Sequence, residues 1–349
     1  MRTDFKLFLL FGLLALISIA QTAKKPTADS PFNAAAAYSS KFRGLSVLVM
    51  KGDKVVFEEY QNGHSSETPW MLASGTKSFS GAMLAAAIED KIISGFDEKV
   101  SETITEWKSD PRRSGITIRQ LLSLTSGIDA GSIGRPPSYS EAITFSSKFE
   151  PGEKFEYGPA PFQIFGELMR RKLAPKKESV LDYLKHRILD KIGLRVANWT
   201  LQNGQPNLPS GAFLTAREWA KFGTLLKNGG KWHGKQILDK KLLDQLYTGS
   251  KANPNYGVTF WLNRSNNGKA EISETKGPLQ RLLGDNESET TAISKNGVGS
   301  DIAKDLFMAA GAGKQRLYVI PSLDLVVVRQ GRQSKFDDHE FLKLITAAK

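Results

Sequence analysis

The stretch W-M-L-A-S-G-T-K-S-F, residues 70–79, lies where the sequence changes from strand-like to helical periodicity. After it, apolar residues recur at helical spacing from Phe79 to Ile88. Ser94-Gly95 is a typical end for such a run. Ser74 is therefore predicted at or near the start of a helix.

Ser74 and Lys77 form an S-x-x-K pattern, and positions i and i+3 share one face of a helix. Serine is a poor nucleophile without a base, and lysine is a base only when burial or a nearby cation lowers its pKa. The helix N-terminus would add positive potential where the alkoxide develops. The alternative is an ordinary helix cap followed by a solvated lysine, and the pattern alone leaves both open.

The same pattern occurs again at residues 273–276. There it lies in polar, aperiodic sequence with no helical run after it, whereas Ser74 follows an apolar stretch and opens an amphipathic helix. This context favours Ser74 as the candidate nucleophile and Lys77 as its base.

Four further segments occur in a fixed order after Ser74. They are L-L-S-L-T-S-G at 121–127, P-G-E-K-F-E-Y at 151–157, S-G-A-F-L-T-A-R-E at 210–218 and G-A-G-K-Q-R-L-Y-V-I-P at 311–321. With S-x-x-K, they resemble motifs of the serine β-lactamase and penicillin-binding protein superfamily, nearest its class C, family VIII esterase and D-aminopeptidase-like branch. Weak motifs in one order form a strong joint signal.

The resemblance implies an α/β (α+β) fold of the β-lactamase/transpeptidase type, in which an antiparallel sheet flanked by helices carries an inserted helical lobe. Tyr157 matches the second-motif tyrosine and would move protons together with Lys77; the alternative is a loop aromatic that packs on the core. Backbone N–H groups of Ser74 and Gln315 would form the oxyanion hole. The implied substrate-binding residues are Gly311, Ala312, Gly313 and Lys314.

Several positions depart from the family pattern. Gly158-Pro159 replaces a Ser-Asn pair, Ala312 a histidine or lysine, Lys314 a glycine and Leu124 a histidine. Lys314 could restore a charge or could be solvated. We therefore expect a serine hydrolase that forms a Ser74 acyl-enzyme with a substrate lacking the usual carboxylate: an ester first, a D-residue or envelope peptide or other amide second, a β-lactam third. The alternative is a non-catalytic envelope-binding protein that retains the fold.

The N-terminus resembles a secretory signal. Arg2 and Lys6 precede the apolar residues 7–20, and small residues at Ser18 and Ala20 predict cleavage near Ala20. An uncleaved anchor is the alternative, but a spanning helix needs about 20 residues. We expect a periplasmic or extracellular protein. The absence of cysteine excludes disulfides, thiol catalysis and cysteine ligands.

The periodicity predicts two lobes. Residues 41–95 and 251–349 would form a discontinuous α/β lobe and residues 96–250 a mainly helical one, preceded by a tether at 21–40. Residues 264–304 would be a lid or a mobile loop. Strands are predicted at 44–50, 54–60, 256–263, 315–320 and 323–329, and helices at 118–124, 162–173, 180–192, 215–226 and 336–348.

The composition restricts the partners. The formal net charge is +12, but basic residues are spread among acidic ones, which argues against nucleic acid and allows association with an anionic envelope. The four histidines lack metal-ligand spacing, so neither a metal nor another cofactor is predicted. We expect a monomer that acts on a small molecule or peptide, with Trp70 and Trp261 able to line the cleft.

Overall fold

The computed structural model describes residues 30–264, 272–273 and 289–348. Within them, a six-stranded antiparallel sheet in the order β11-β13-β14-β15-β1-β2 carries helices on both faces. The strands of this sheet are β1 (Gly44–Lys51), β2 (Lys54–Tyr60), β11 (Trp261–Leu262), β13 (Phe307–Gly311), β14 (Gln315–Ile320) and β15 (Leu325–Gly331).

Short strands form smaller sheets beside it. They are β3 (Trp70–Met71), β4 (Phe155–Glu156), β5 (Asn198–Trp199), β6 (Leu201–Gln202), β7 (Gln205–Pro206), β8 (Ala212–Leu214), β9 (Lys231–Trp232), β10 (Lys235–Gln236) and β12 (Ile272–Ser273). The α-helices are α1 (Asn33–Lys41), α2 (Ser78–Glu89), α3 (Ile118–Leu122), α4 (Tyr139–Ala142), α5 (Ala160–Leu173), α6 (Val180–Leu184), α7 (Ala216–Lys227), α8 (Lys240–Leu246), α9 (Glu289–Asn296) and α10 (Asp338–Ala347).

The centre of the sheet is apolar on both sides. All residues of β15 and all but the last of β1 are buried, as expected for strands covered on both faces. Helices α1 and α10 pack on one face and α7 on the other. The predicted hairpin of β1 and β2 and the C-terminal strand pair are confirmed.

Helix α7 begins and ends where the sequence predicts. The Thr215 side chain accepts a hydrogen bond from the Glu218 N–H, and the helix ends at Lys227, with Asn228 as its C-cap. However, α7 packs on β1, β14 and β15, because its apolar side faces Leu317 and Val326 at Gly223. The predicted boundary of a helical lobe at residue 250 is therefore wrong.

The predicted tether at 21–40 is also wrong in its second half. Residues 33–41 form α1, which buries Ala35, Ala36 and Ser39 against the sheet. Small side chains allow this close approach of helix and sheet. The first half of the tether and the signal peptide lie outside the described residues.

Two further predictions need correction. The helix predicted at 180–192 continues from α6 as a π-helical turn and then a 3-10 turn, and the strand predicted at 256–263 is reduced to β11. Much of the predicted lid at 264–304 lies outside the described residues, although α9 is within it. Among residues 30–264, 272–273 and 289–348, no helix is long and apolar enough to span a membrane.

Candidate active site

Ser74 lies in a short 3-10 helix, Ala73–Lys77, directly before α2. In a 3-10 helix residues i and i+3 are superimposed along the axis, and the Lys77 Nζ atom accordingly lies 3.0 Å from the Ser74 Oγ atom. As the second residue of this helix, Ser74 has an N–H with no acceptor inside it. Ala73 has a left-handed backbone, with φ of 46°, which is uncommon outside glycine.

The Lys77 ammonium is held in an apolar environment. It donates to the Pro209 carbonyl at 3.1 Å and lies 5.0 Å from the Tyr157 ring centroid and 5.3 Å from that of Phe162. The residue is 4% exposed. Because burial disfavours the charged form, it lowers the pKa of Lys77 to about 7.

Tyr157 lies beside the Ser74–Lys77 pair. It follows β4 and precedes α5, and its ring lies 5.0 Å from the Lys77 Nζ atom and is stacked on that of Trp261. Burial raises the pKa of Tyr157 to about 12, although the Ser74 side chain, the Arg316 charge and the Trp261 side chain each lower it. The structure thus brings Ser74, Lys77 and Tyr157 together.

The end of β13 lies against the segment that carries Ser74. A Cβ atom on Gly311 would lie 2.0 Å from the Leu72 carbonyl oxygen and 3.0 Å from the Gly75 nitrogen. Both neighbours are backbone atoms that cannot move aside, so only glycine fits. Gly311 therefore makes a packing contact that holds the end of β13 close to Ser74.

Gln315 does not lie where an oxyanion donor is needed, so that prediction is wrong. Its backbone pairs with Gly311 across the β13–β14 turn, which directs its N–H into the sheet. The Gln315 side chain is buried and bonds the carbonyls of Ala312 and Gly331. Strand β13 thus separates Gln315 from Ser74.

The backbone N–H of Ala310 is better oriented than that of Gln315 to act as an oxyanion donor. Hydrogen-bonded and non-hydrogen-bonded pairs alternate along an antiparallel ladder. Since Gly311 and Gln315 form the pair that closes a three-residue turn, the Ala310 N–H is directed away from β14. On the side of β13 that faces away from β14, the pairing with β11 ends at Trp261 opposite Met308.

The other residues of the G-A-G-K segment form the turn itself. Ala312 is exposed, and the Gly313 N–H donates to Gln333. Lys314 is not solvated: its ammonium lies 3.8 Å from the Asp338 carboxylate, and its side chain is 14% exposed. Gly311, one of the four predicted substrate-binding residues, contacts the Ser74 segment.

Packing accounts for Gly158-Pro159. A Cβ atom on Gly158 would lie 2.3 Å from the Ala130 carbonyl oxygen, so no side chain fits there. Pro159 precedes the first residue of α5, a position that proline tolerates because its nitrogen needs no acceptor. Neither residue can offer the carboxamide of the family pattern.

Sequence reasoning missed Pro209, Phe162 and Ala310. Pro209 directly precedes the S-G-A-F-L-T-A-R-E motif, and this position next to a motif could have identified it as a site residue. Phe162 is one of several apolar residues of α5, and nothing in its spacing distinguishes it. Ala310 can be identified only when the pairing register of β13 and β14 is known, and the sequence alone does not give that register.

Comparisons with known proteins identify the family and the fold. The family model described as Beta-lactamase matches residues 22–340, and the chain belongs to this family. No curated protein matches the sequence. Among solved structures, a penicillin-binding protein homologue from Caulobacter crescentus is similar with a TM-score of 0.68 at 13% identity, covering 93% of this chain and 99% of that one.

Two further structures show the same fold. EstCE1, described as a hydrolase with promiscuous acyltransferase activity, has a TM-score of 0.63 at 15% identity, covering 91% of this chain and 97% of that one. A β-lactamase from Mycobacterium bovis has a TM-score of 0.61 at 16% identity, with 91% and 97% covered. The protein is thus a member of a serine hydrolase family with the β-lactamase fold, whose members differ in substrate.

Proposed function

We propose that the protein is a serine hydrolase that cleaves an ester or amide through an acyl-enzyme on Ser74. The observation that carries the proposal is the contact of Ser74 Oγ with Lys77 Nζ at 3.0 Å, with the Tyr157 ring 5.0 Å from the same ammonium. A nucleophile within hydrogen-bond distance of a base, and beside a second group that can carry a proton, has the arrangement that acyl transfer needs.

Acylation begins with proton transfer. Neutral Lys77 accepts the proton of Ser74 Oγ, and Oγ forms a bond to the substrate carbonyl carbon. When the tetrahedral intermediate collapses, the bond to the leaving group breaks, and Tyr157 gives that group a proton and is reprotonated from Lys77. Water then attacks the acyl-enzyme with the same two groups acting in reverse.

The oxyanion requires two donors. The Ser74 N–H, at the start of its 3-10 helix, would be the first. The Ala310 N–H, directed away from β14, would be the second in place of Gln315. Loss of one such donor lowers kcat by a factor of about 10²–10³.

The substrate is proposed to carry no carboxylate next to the scissile bond. Lys314 pairs with Asp338, Ala312 is apolar, and Gly158 and Pro159 offer no amide side chain. We therefore rank a carboxylic ester first, an amide of an envelope peptide second and a β-lactam third. Association with an anionic envelope after export would fit the charge of +12.

The test is covalent labelling. A fluorophosphonate probe should form an adduct that peptide mass spectrometry locates on Ser74, and a short-chain nitrophenyl ester should be hydrolysed. Ser74→Ala should abolish the adduct and lower turnover by about 10³-fold or more. The matched control is Ser273→Ala, which alters the other S-x-x-K and should leave both readouts unchanged.

Two results would contradict the proposal. One is a folded wild-type protein that neither probe labels nor ester acylates, which would favour a non-catalytic envelope-binding protein. The other is an adduct on Ser273, which would show that the wrong S-x-x-K was chosen.

A further inference from the structure

Basic residues occur along the whole chain, but their excess over acidic residues is concentrated in one segment. Residues 185–241 contain eleven lysines and arginines and three acidic residues, so this segment holds +8 of the net charge of +12. It begins in the helical turns that follow α6 and ends in the first turn of α8. The charge that could attract an anionic partner therefore lies mainly in this part of the protein.

The parts of this segment lie next to one another in the fold. The Arg187 guanidinium donates to the Ile237 carbonyl at 2.7 Å, and the Lys221 ammonium donates to the Gly193 carbonyl at 2.7 Å. Strand β9 packs on α7, which lies on the face of the sheet opposite α1 and α10. We call the resulting surface the basic face. Its exposed cations are Lys185, Lys191, Arg195, Lys231, Lys235, Lys240 and Lys241.

Most of these cations are not neutralised within the protein. Of the three acidic residues of the segment, Glu218 is buried and pairs with Lys221, and Asp239 caps α8. Asp190 is the exposed one. Within the described part of the chain, five exposed lysines of the basic face form no ion pair: Lys185, Lys191, Lys231, Lys235 and Lys241. Their charges are therefore available to a partner outside the chain.

The hairpin of β9 and β10 adds an aromatic side chain to these charges. Its turn residues His233 and Gly234 both have a left-handed backbone, with φ of 46° and 79°, as two-residue hairpin turns require. Trp232 pairs with Lys235 across the hairpin, so the half-buried indole and the exposed ammonium lie on the same side of the ribbon. Proteins that lie on a membrane surface combine these two residue types, because the indole suits the headgroup region and lysine attracts anionic lipid.

We propose that the basic face docks the protein on the surface of an anionic phospholipid bilayer, with its lysines on the lipid phosphates and Trp232 at the level of the headgroups. This inference rests on the proposed association with an anionic envelope and names the surface and the partner for it. A bilayer is favoured over a nucleic acid because six of the seven exposed cations are lysines. A lysine ammonium acts as a point charge, whereas arginine has the planar fork that suits nucleic-acid recognition.

The first test is sedimentation of the purified protein with vesicles. Wild type should bind vesicles of phosphatidylglycerol and phosphatidylcholine, should not bind vesicles of phosphatidylcholine alone, and should be released by about 0.5 M NaCl. The triple variant Lys231→Glu, Lys235→Glu and Lys241→Glu should bind the anionic vesicles about 100-fold more weakly or worse, because each lysine near the surface adds to the attraction.

The matched control makes the same change of charge on the opposite face of the sheet. Lys41 of α1, Lys335 next to α10 and Lys343 of α10 are all exposed. Their replacement by glutamate should weaken binding about threefold or less, since charges on the far side are screened by salt. Equal losses in the two triple variants would show that only the net charge matters, and would overturn the basic face as the docking surface.

The second test locates the contact without altering a charge. Lipids with brominated acyl chains quench indoles that lie near the headgroups, and Trp232→Phe should remove most of the quenching seen in vesicle-bound wild type. Trp107→Phe, which alters a buried tryptophan of the core, should leave the quenching unchanged. Quenching that survives Trp232→Phe would place the contact elsewhere and overturn the inference.

The hydrolase proposal is kept separate by assaying nitrophenyl ester turnover without vesicles, which both triple variants should retain. Turnover by a wild-type protein that binds no anionic vesicle would overturn this inference alone. Tighter binding of polyphosphate or of a single-stranded oligonucleotide than of vesicles, lost in the Lys231 triple variant, would assign the basic face to a soluble polyanion and would also overturn it.

Discussion

Lys77 determines the pH at which Ser74 can be activated. Burial lowers the pKa of Lys77 to about 7, and only the neutral amine can accept a proton. We expect kcat/KM for a nitrophenyl ester to fall tenfold per pH unit below about 7 and to level off above it. Circular dichroism at each pH serves as the control for unfolding. A profile with no change near that pH would exclude Lys77 as the base.

The same burial reduces stability. The folded pKa of Lys77 is below its ordinary value of 10.5, so between about 7 and 10.5 the unfolded chain binds more protons. Stability from this group therefore rises with pH through that window and is lowest below it. The residue that makes Ser74 reactive thus opposes folding at neutral pH, as is common at active sites.

Among the secondary-structure elements, the contact between β13 and the 3-10 helix is the one that sets the geometry of the site. Gly311→Ala would place Cβ 2.0 Å from the Leu72 carbonyl, so the two segments must separate. A shift of about 1 Å costs about 10²-fold in rate, and we expect such a loss in kcat on the nitrophenyl ester. Gly95→Ala is the control, because a Cβ there meets nothing within 4 Å. If Gly311→Ala keeps full activity, the contact does not matter.

Local sequence patterns predicted most of the secondary-structure elements and the order of the site motifs along the chain. Periodicity and turn residues gave β1, β2 and α7 because those signals lie within a few adjacent residues. The error at Gln315 has a different origin. The pairing register of the strands determines which backbone N–H faces the substrate, and a register shift of one residue exchanges inward-facing and outward-facing groups. The assignment of α7 to the wrong lobe has a similar cause, since helical periodicity shows that one side is apolar but not what covers it.

At the scale of the whole molecule, the C-terminal helix is fixed to the sheet beside the site by a buried ionic group. The Arg316 guanidinium, fully buried, contacts both carboxylate oxygens of Asp338 at 2.6 Å and 3.0 Å. Arg316 also donates to the carbonyls of Gly311 and Gln315. Helix α10, the strand pair β13–β14 and the turn between them are therefore one connected unit.

Asp338→Asn should destabilise the whole fold. Removing the Asp338 charge breaks a buried ion pair with Arg316, which costs about 3–5 kcal/mol in the free energy of unfolding. Burial by itself would raise the pKa of Asp338, but Arg316 and Lys314 hold it below its ordinary value of 3.8. The stabilisation is thus complete above that value and is lost as the pH falls below it.

Urea unfolding at neutral and at acid pH measures both effects, and the stability deficit of Asp338→Asn should shrink in acid. Asp244→Asn, which breaks the exposed Lys240–Asp244 pair, should cost about 0.5 kcal/mol or less. An Asp338→Asn deficit no larger than that of the surface control would mean that Arg316 is compensated by other groups, and that α10 is attached to the sheet mainly by its apolar face.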